Sequence, residues 1–277
     1  MILPQFYIDD LIKNAITEDI NYIDVATDYL LDEDSVSEAY FVAKADGVLC
    51  GAEIAMRVFE LLDEQVSYTL HKKDGDVVKN GDLIAEFKGR TVKLLKGERT
   101  ALNLIQHMSG IATLTNECVK QTEGTRATIA DTRKTLPGLR SLQKYAVTCG
   151  GGRNHRYNLS DCAMLKDNHI DAKGGITAAV MALREKIGHT VKIEVETRTL
   201  TEVEEAVAVG ADIIMLDNMD NETMKRAVEI VDGKATFTVE NLTAGIKTVA
   251  VDYVGDNNYT GNHTTANFTV SKIVPEI

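Results

Sequence analysis

The chain has 277 residues, 44% of them hydrophobic and 26% charged. That is enough apolar sequence for one large α/β domain with a smaller companion, and too much for a disordered polymer. Thirty Lys and Arg stand against 42 Asp and Glu, a net charge of −12, which excludes a general nucleic-acid binder because phosphate contacts need clustered cations. No apolar run approaches the roughly 20 residues that span a bilayer, and the N-terminus lacks the basic region and apolar stretch of a secretory signal. Cys50, Cys118, Cys149 and Cys162 form no C-x-x-C pair, so their spacing implies neither a zinc site nor a disulfide framework. The expectation is a reduced, cytoplasmic enzyme with no membrane or nucleic-acid partner.

Residues 1–100 read as a mixed α/β module. Its pattern predicts a short amphipathic helix over 8–20, a strand over 39–49 and a helix over 52–62, with Ile54, Val58, Leu61 and Leu62 on one side. The stretch Asp74-Gly-Asp-Val-Val-Lys-Asn-Gly-Asp-Leu-Ile-Ala85 carries two turn signals between short strands. It is similar to half of a lipoyl- or biotinyl-carrier hairpin, but with no lysine at an isolated tip it reads as structural. A long helix is predicted from Gly97 to about Lys120.

From there the chain alternates. Strands are predicted over 127–131, 162–166, 191–196 and 212–217, and helices over 139–147, 176–187, 200–209 and 221–231. Repeated βα units of this length imply a parallel sheet with right-handed crossovers. No aromatic residue lies between Asn158 and Thr236, and so aliphatic an interior fits a (β/α) barrel over 101–232. Beyond Asp232 the last 45 residues hold eight Thr and five Asn, with period-2 alternation at Phe237/Val239, Val249/Val251/Tyr253 and Phe268/Val270. Three antiparallel strands are expected there. Residues 233–277 also hold four N-x-T sequons and resemble part of the Ig-like modules of microbial surface adhesins. An Ig-like sandwich needs about 100 residues, so the tail reads as a fragment foreign to the barrel, which it would leave incomplete.

Charge is concentrated where parallel barrels carry their chemistry, on the loops after strand C-termini. The predicted strands end in Asp131-Thr-Arg-Lys-Thr135, Lys166-Asp-Asn-His169, Glu194-Val-Glu196 and Asp217-Asn218. Residues 131–169 carry seven Lys/Arg against three Asp, a local +4 in an acidic chain, which suits a small carboxylate or phosphate ligand. Two carboxylates facing a cationic floor could hold Mg²⁺ against phosphates. Plainer roles exist for both, a helix N-terminal charge for Glu196 and an N-cap for Asp217. The triplet Gly150-Gly-Gly152 before His155 would let backbone approach a ligand closely.

These residues resemble quinolinate phosphoribosyltransferase. The motifs are Gly97-Glu-Arg-Thr-Ala-Leu-Asn103, Ser109-Gly-Ile-Ala-Thr113, Asp131-Thr-Arg-Lys-Thr-Leu-Pro-Gly-Leu-Arg140, Gly150-Gly-Gly-Arg-Asn-His-Arg156, Lys166-Asp-Asn-His169, Ile193-Glu-Val-Glu196 and Met215-Leu-Asp-Asn218. They stand in the family's order up to about residue 231. The resemblance implies an open-faced α/β sandwich followed by a (β/α) barrel. It implies transfer of phosphoribosyl from phosphoribosyl pyrophosphate to quinolinate, giving nicotinate mononucleotide, pyrophosphate and CO₂ with Mg²⁺, in NAD biosynthesis. It further implies a homodimer in which Arg99 reaches the partner's site. By the same match Thr132, Arg133, Lys134, His155, Arg156 and Lys166 would bind substrate. Lys134, Lys166, Glu196 and Asp217 would be catalytic, Glu196 and Asp217 meeting Mg²⁺ through the substrate. In the family, two further βα units with Gly-rich loops for the 5′-phosphate follow the last helix, and nothing after Gly233 matches them. The alternatives are a paralogue with another acceptor or a catalytically impaired fusion, and the expectation from the tail is little or no family activity.

Overall fold

The structure, a computed structural model, describes residues 3–231, 236–238, 245–256 and 259–270, the last three segments as backbone. It is a mixed α/β chain whose contacts divide it into two units, Met1–His155 and Arg156–Ile277.

The first unit begins with α1 (Gln5–Asp19), α2 (Val25–Leu30), β1 (Val36–Val42), β2 (Gly47–Val48), α3 (Ala52–Leu62), β3 (Ser67–Leu70), β4 (Val77–Val78) and β5 (Leu83–Arg90). The 30-residue α4 (Thr91–Lys120) and then α5 (Arg140–Cys149) complete it. β5 lies between β1 and β3 in an antiparallel sheet, and β2 pairs with β4. Along β5, Ala85, Phe87 and Gly89 are buried while Glu86 and Lys88 face solvent, the alternation of a half-covered sheet. The covering element is α3, which buries Ile54, Ala55, Met56, Val58 and Phe59. Phe59 stacks on Phe87 at 4.7 Å between ring centroids, and Phe41 meets Phe87 edge-on at 5.0 Å. Such pairs contribute beyond their buried area.

Gly97 allows α4 to pack on α3. A Cβ there would stand 2.9 Å from Phe59 Cδ1 and 3.0 Å from Leu62 Cδ1. Replacing Gly97 by Ala is therefore expected to destabilise this unit by about 1–3 kcal/mol, the usual effect of overpacking, despite alanine's better helix propensity. Urea unfolding checks it, and an unchanged or raised midpoint would show that the helices move apart freely.

The second unit contains β6 (Ala163–Leu165), α6 (Asp167–Lys173), α7 (Ile176–Arg184), β7 (Ile193–Thr197), α8 (Leu200–Ala208), β8 (Ile213–Asp217), α9 (Asn221–Val231) and β9 (Thr236–Thr238). These strands form a parallel sheet in the order β6-β7-β8-β9. The antiparallel pair β10 (Gly245–Asp256) and β11 (Tyr259–Val270) follows, in register from Gly245↔Val270 to Asp256↔Tyr259. One face of the parallel sheet is apolar: Leu165, Ile193, Val195, Ile214 and Leu216 pack with Ile176, Val180, Val203, Ala206 and Ala227 of α7, α8 and α9. The other face carries Met164, Glu194, Glu196, Ile213 and Met215. Among the described residues no helix is long and apolar enough to cross a membrane.

Three expectations from sequence need correction. The strand predicted over 127–131 is a single parallel bridge, Ala130↔Arg153, because from Asp131 onward the backbone is turned by side-chain bonds. The strand over 39–49 divides into β1 and β2, since the intervening segment turns to meet the 79–82 loop, where Asp46 accepts from Asn80 N. The first tail strand is not antiparallel. β9 pairs parallel to β8 (Met215↔Thr236, Leu216↔Phe237, Asp217↔Thr238), because the intervening α9 returns the chain to the same edge; only β10 and β11 form the expected antiparallel ladder. The Gly150–Gly152 triplet also has a packing role within the first unit. A Cβ on Gly150 would stand 2.3 Å from the Ala112 carbonyl oxygen, one on Gly152 2.9 Å from Thr115 Cγ2, and Gly151 has φ +91°.

Candidate active site

The cationic residues of the first unit sit on a loop braced from beneath. Lys144 of α5 is 2% exposed at its side chain, yet its ammonium pairs with Asp131 at 2.5 Å. Asp131 Oδ1 also accepts from His155 N at 2.9 Å, and Asp131 Oδ2 from Asn154 Nδ2 at 2.6 Å. Lys144 Nζ donates in addition to the His155 carbonyl at 3.1 Å. One buried ion pair thereby fixes both the start of the 131–136 loop and the backbone of His155. Further along, Lys134 N donates to Thr132 Oγ1 at 3.0 Å, Leu136 N to Gln143 Oε1 at 2.9 Å and Arg140 Nε to Thr135 Oγ1 at 3.1 Å. Thr132 and Lys134 are exposed, and Arg133 and His155 half-buried. Arg99 projects from α4 as an exposed residue between the buried Gly97 and Thr100.

In the second unit the register places the charges. Met164 pairs with Glu194, and Glu194 and Glu196 pair with Ile213 and Met215. Paired residues share a face and alternate along the strand. Lys166, Glu196 and Asp217 therefore lie on the same face, at the C-terminal ends of three adjacent parallel strands. Lys166 Nζ donates to Glu196 Oε2 at 2.6 Å. Asp217 Oδ2 accepts from Asn218 Nδ2 at 3.3 Å, and Asn218 takes the left-handed conformation, φ +52°, that ends the strand abruptly. Beneath them the buried Thr197 hydroxyl donates to the Met215 carbonyl at 3.0 Å and ties β7 to β8. Lys166 N donates to His169 Nδ1 at 3.0 Å, and Arg156 Nη1 to the Cys162 carbonyl at 3.0 Å.

Thus Thr132, Arg133 and Lys134 follow Asp131 along one loop and His155 is bonded to Asp131 through its backbone, while Lys166, Glu196 and Asp217 lie on one face of the parallel sheet. Arg99 stands apart on α4, and Arg156 on the segment entering β6. Sequence reasoning missed Lys144 and Asn154 as supports. The signal was present: Lys144 falls on the face of α5 that buries Ser141 and Leu142, and a buried lysine requires an anion. It named Glu194 as part of a charged strand end without giving it a role; the residue is fully buried on the face it shares with Glu196.

Charged strand ends on a parallel sheet, cationic then anionic, define an α/β enzyme that handles small anionic substrates. The comparisons give the family. The quinolinate phosphoribosyl transferase C-terminal domain profile matches residues 111–258 and its N-terminal domain profile matches residues 24–109. The chain is 45% identical over 250 residues to a probable carboxylating nicotinate-nucleotide pyrophosphorylase of Bacillus subtilis, covering 88% of this chain and 86% of that protein. It is 40% identical over 263 residues to the corresponding Synechocystis protein, covering 92% and 88%. Among solved structures, NadC from Streptococcus pyogenes superposes with a TM-score of 0.84 at 37% identity, over 98% of this chain and 100% of that one. The Francisella tularensis nicotinate-nucleotide pyrophosphorylase gives 0.81 at 37% identity, over 86% of each. The chain belongs to the quinolinate phosphoribosyl transferase family.

Proposed function

We propose that the chain transfers a phosphoribosyl group from phosphoribosyl pyrophosphate to quinolinate and releases pyrophosphate and CO₂, a cytoplasmic step of NAD biosynthesis. The observation that carries this reading is the common register of Lys166, Glu196 and Asp217 at the ends of β6, β7 and β8. Quinolinate has two adjacent carboxylates, and the family resemblance assigns donors for them in each unit, Thr132, Arg133, Lys134 and His155 in the first and Arg156 and Lys166 in the second. The guanidinium groups suit carboxylates through paired N–H bonds. The pyridine nitrogen then attacks the ribose C1 as the bond to pyrophosphate breaks. Positive charge grows on the sugar in that step, and the carboxylates of Glu196 and Asp217 stabilise it. Once the ring nitrogen is ribosylated and cationic, its charge stabilises the electron pair that departing CO₂ leaves on the adjacent ring carbon, and a proton then adds to that carbon. Glu196 and Asp217, oxygen donors on neighbouring strand ends, fit Mg²⁺ held jointly with substrate oxygens. When bound, the ion neutralises the pyrophosphate leaving group.

Quinolinate-dependent release of CO₂ and pyrophosphate at saturating phosphoribosyl pyrophosphate tests the reading. Arg133→Ala is expected to weaken quinolinate binding by about 1.5–3 kcal/mol, the value of a charge-assisted hydrogen bond. Equal affinities by calorimetry would remove Arg133 from the pocket.

The exposed position of Arg99 supports a homodimer with shared sites. Mixing Arg99→Ala chains with Asp217→Ala chains is expected to recover part of the activity that each alone has lost. Verified heterodimers with no recovery would put Arg99 in its own chain's site.

A further inference from the structure

Away from the residues assigned to catalysis, three possible metal donors converge inside the first unit. Cys50 precedes α3, Asp74 lies in the turn between β3 and β4, and Cys149 is the last residue of α5. The sulfurs of Cys50 and Cys149 and a carboxylate oxygen of Asp74 all lie within 4.8 Å of one another. Cys50 is fully buried, and Cys149 and Asp74 are half-buried. We propose that these residues form a binding site for one thiophilic divalent cation of the zinc type, clipping together three elements distant in sequence.

The donor set and its support both point that way. Two thiolates and one carboxylate are the ligands that zinc and its spectroscopic substitute cobalt select over the all-oxygen sets of Mg²⁺. At a Zn–S length of about 2.3 Å, tetrahedral sulfur ligands lie roughly 3.8 Å apart. The observed cluster therefore needs a contraction of no more than about 1 Å to reach that spacing. The carboxylate is already oriented. Asp74 Oδ1 accepts from Gly51 N and Ala52 N, both at 2.9 Å, and Oδ2 accepts from the Tyr145 hydroxyl at 2.9 Å. Outer hydrogen bonds of this kind fix the ligand atoms of established metal sites. Among the described residues, Asp74 thus has two backbone N–H groups and a phenol as partners and no Lys or Arg. Cys50 is itself positioned, its N–H donating to Ser109 Oγ at 2.9 Å and its carbonyl accepting from that hydroxyl at 3.1 Å. The three ligands come from separate segments, so C-x-x-C spacing could not have revealed them.

Titration of the reduced, metal-stripped full chain with Co²⁺ tests the site. One equivalent is expected to produce a thiolate-to-cobalt charge-transfer band, abolished by added Zn²⁺ and unaffected by Mg²⁺. Cys50→Ser and Cys149→Ser should each remove the band, and Cys118→Ser and Cys162→Ser should leave it. Tyr145→Phe retains all three ligands and should weaken cobalt binding about 10–100-fold, the effect of losing an outer partner. In parallel, Zn²⁺ should protect Cys149 from alkylation in the unmodified chain, a readout that does not depend on any variant folding. No charge-transfer band at saturating Co²⁺ would overturn the proposal. So would a band that survives Cys149→Ser, or unchanged alkylation of Cys149 in excess Zn²⁺.

Discussion

Replacing Asp131 by Ala is expected to destabilise the first unit by about 3–5 kcal/mol, the cost of stranding one member of a buried ion pair. Lys144 is 2% exposed and Asp131 8%, so neither charge can turn to water once its partner is gone. Among the described residues, the ammonium of Lys144 would keep the His155 carbonyl alone, at 3.1 Å. The double variant Asp131→Leu/Lys144→Met should recover most of that loss, because an apolar pair of similar volume avoids desolvating two ions. Function should not recover with it. Asp131 also accepts from His155 N and Asn154 Nδ2, and those bonds end in either variant. The expected pattern is near-normal urea stability in the double variant with weakened quinolinate binding. Normal quinolinate affinity in the double variant would mean that the His155 segment holds its shape without the ion pair.

Regular periodicity was legible wherever a helix or strand buries one continuous face. Helices α3 and α9 have the bounds that the sequence predicts, Ala52–Leu62 and Asn221–Val231. The short helices were not legible, for physical reasons. Helix α2 has six residues and is started by Asp24, whose side chain accepts from Ala26 N and Thr27 N, and α6 buries no residue at all. Neither leaves a hydrophobic period to read. The charged ends of β6 and β8 could be found because Lys166 and Asp217 immediately follow apolar runs, and that of β7 because Glu194 and Glu196 alternate with Ile193 and Val195. The bridge at Ala130 could not, since Thr128-Ile-Ala130 has the composition of a strand and only the bonds at Asp131 decide otherwise. The packing role of Gly150 and Gly152 depends on Ala112 and Thr115, more than thirty residues earlier in the chain.

The C-terminal segment sets the second large expectation. Crossing back through α9, the chain adds β9 to the parallel sheet beside β8, so the sheet continues past the point near residue 231 where the motifs stop, and the family profile likewise runs to residue 258. After β9, however, the described chain enters the long β10–β11 ladder. An antiparallel hairpin returns the chain without a helix, whereas phosphate sites on parallel sheets use a turn leading into a helix N-terminus. We therefore expect phosphoribosyl pyrophosphate to meet Glu196 and Asp217 normally and to lack donors for its 5′-phosphate. Two or three charge-assisted bonds at roughly 1.5–3 kcal/mol each amount to two or more powers of ten in affinity. Replacing residues 233–277 by a family-type C-terminus should accordingly lower the KM for phosphoribosyl pyrophosphate by about 10² or more, while quinolinate affinity stays the same. Steady-state kinetics with pyrophosphate release as the readout measures both. Equal KM values in the two chains would mean that the segment following β9 supplies phosphate donors of its own, and the tail would then be part of the active site.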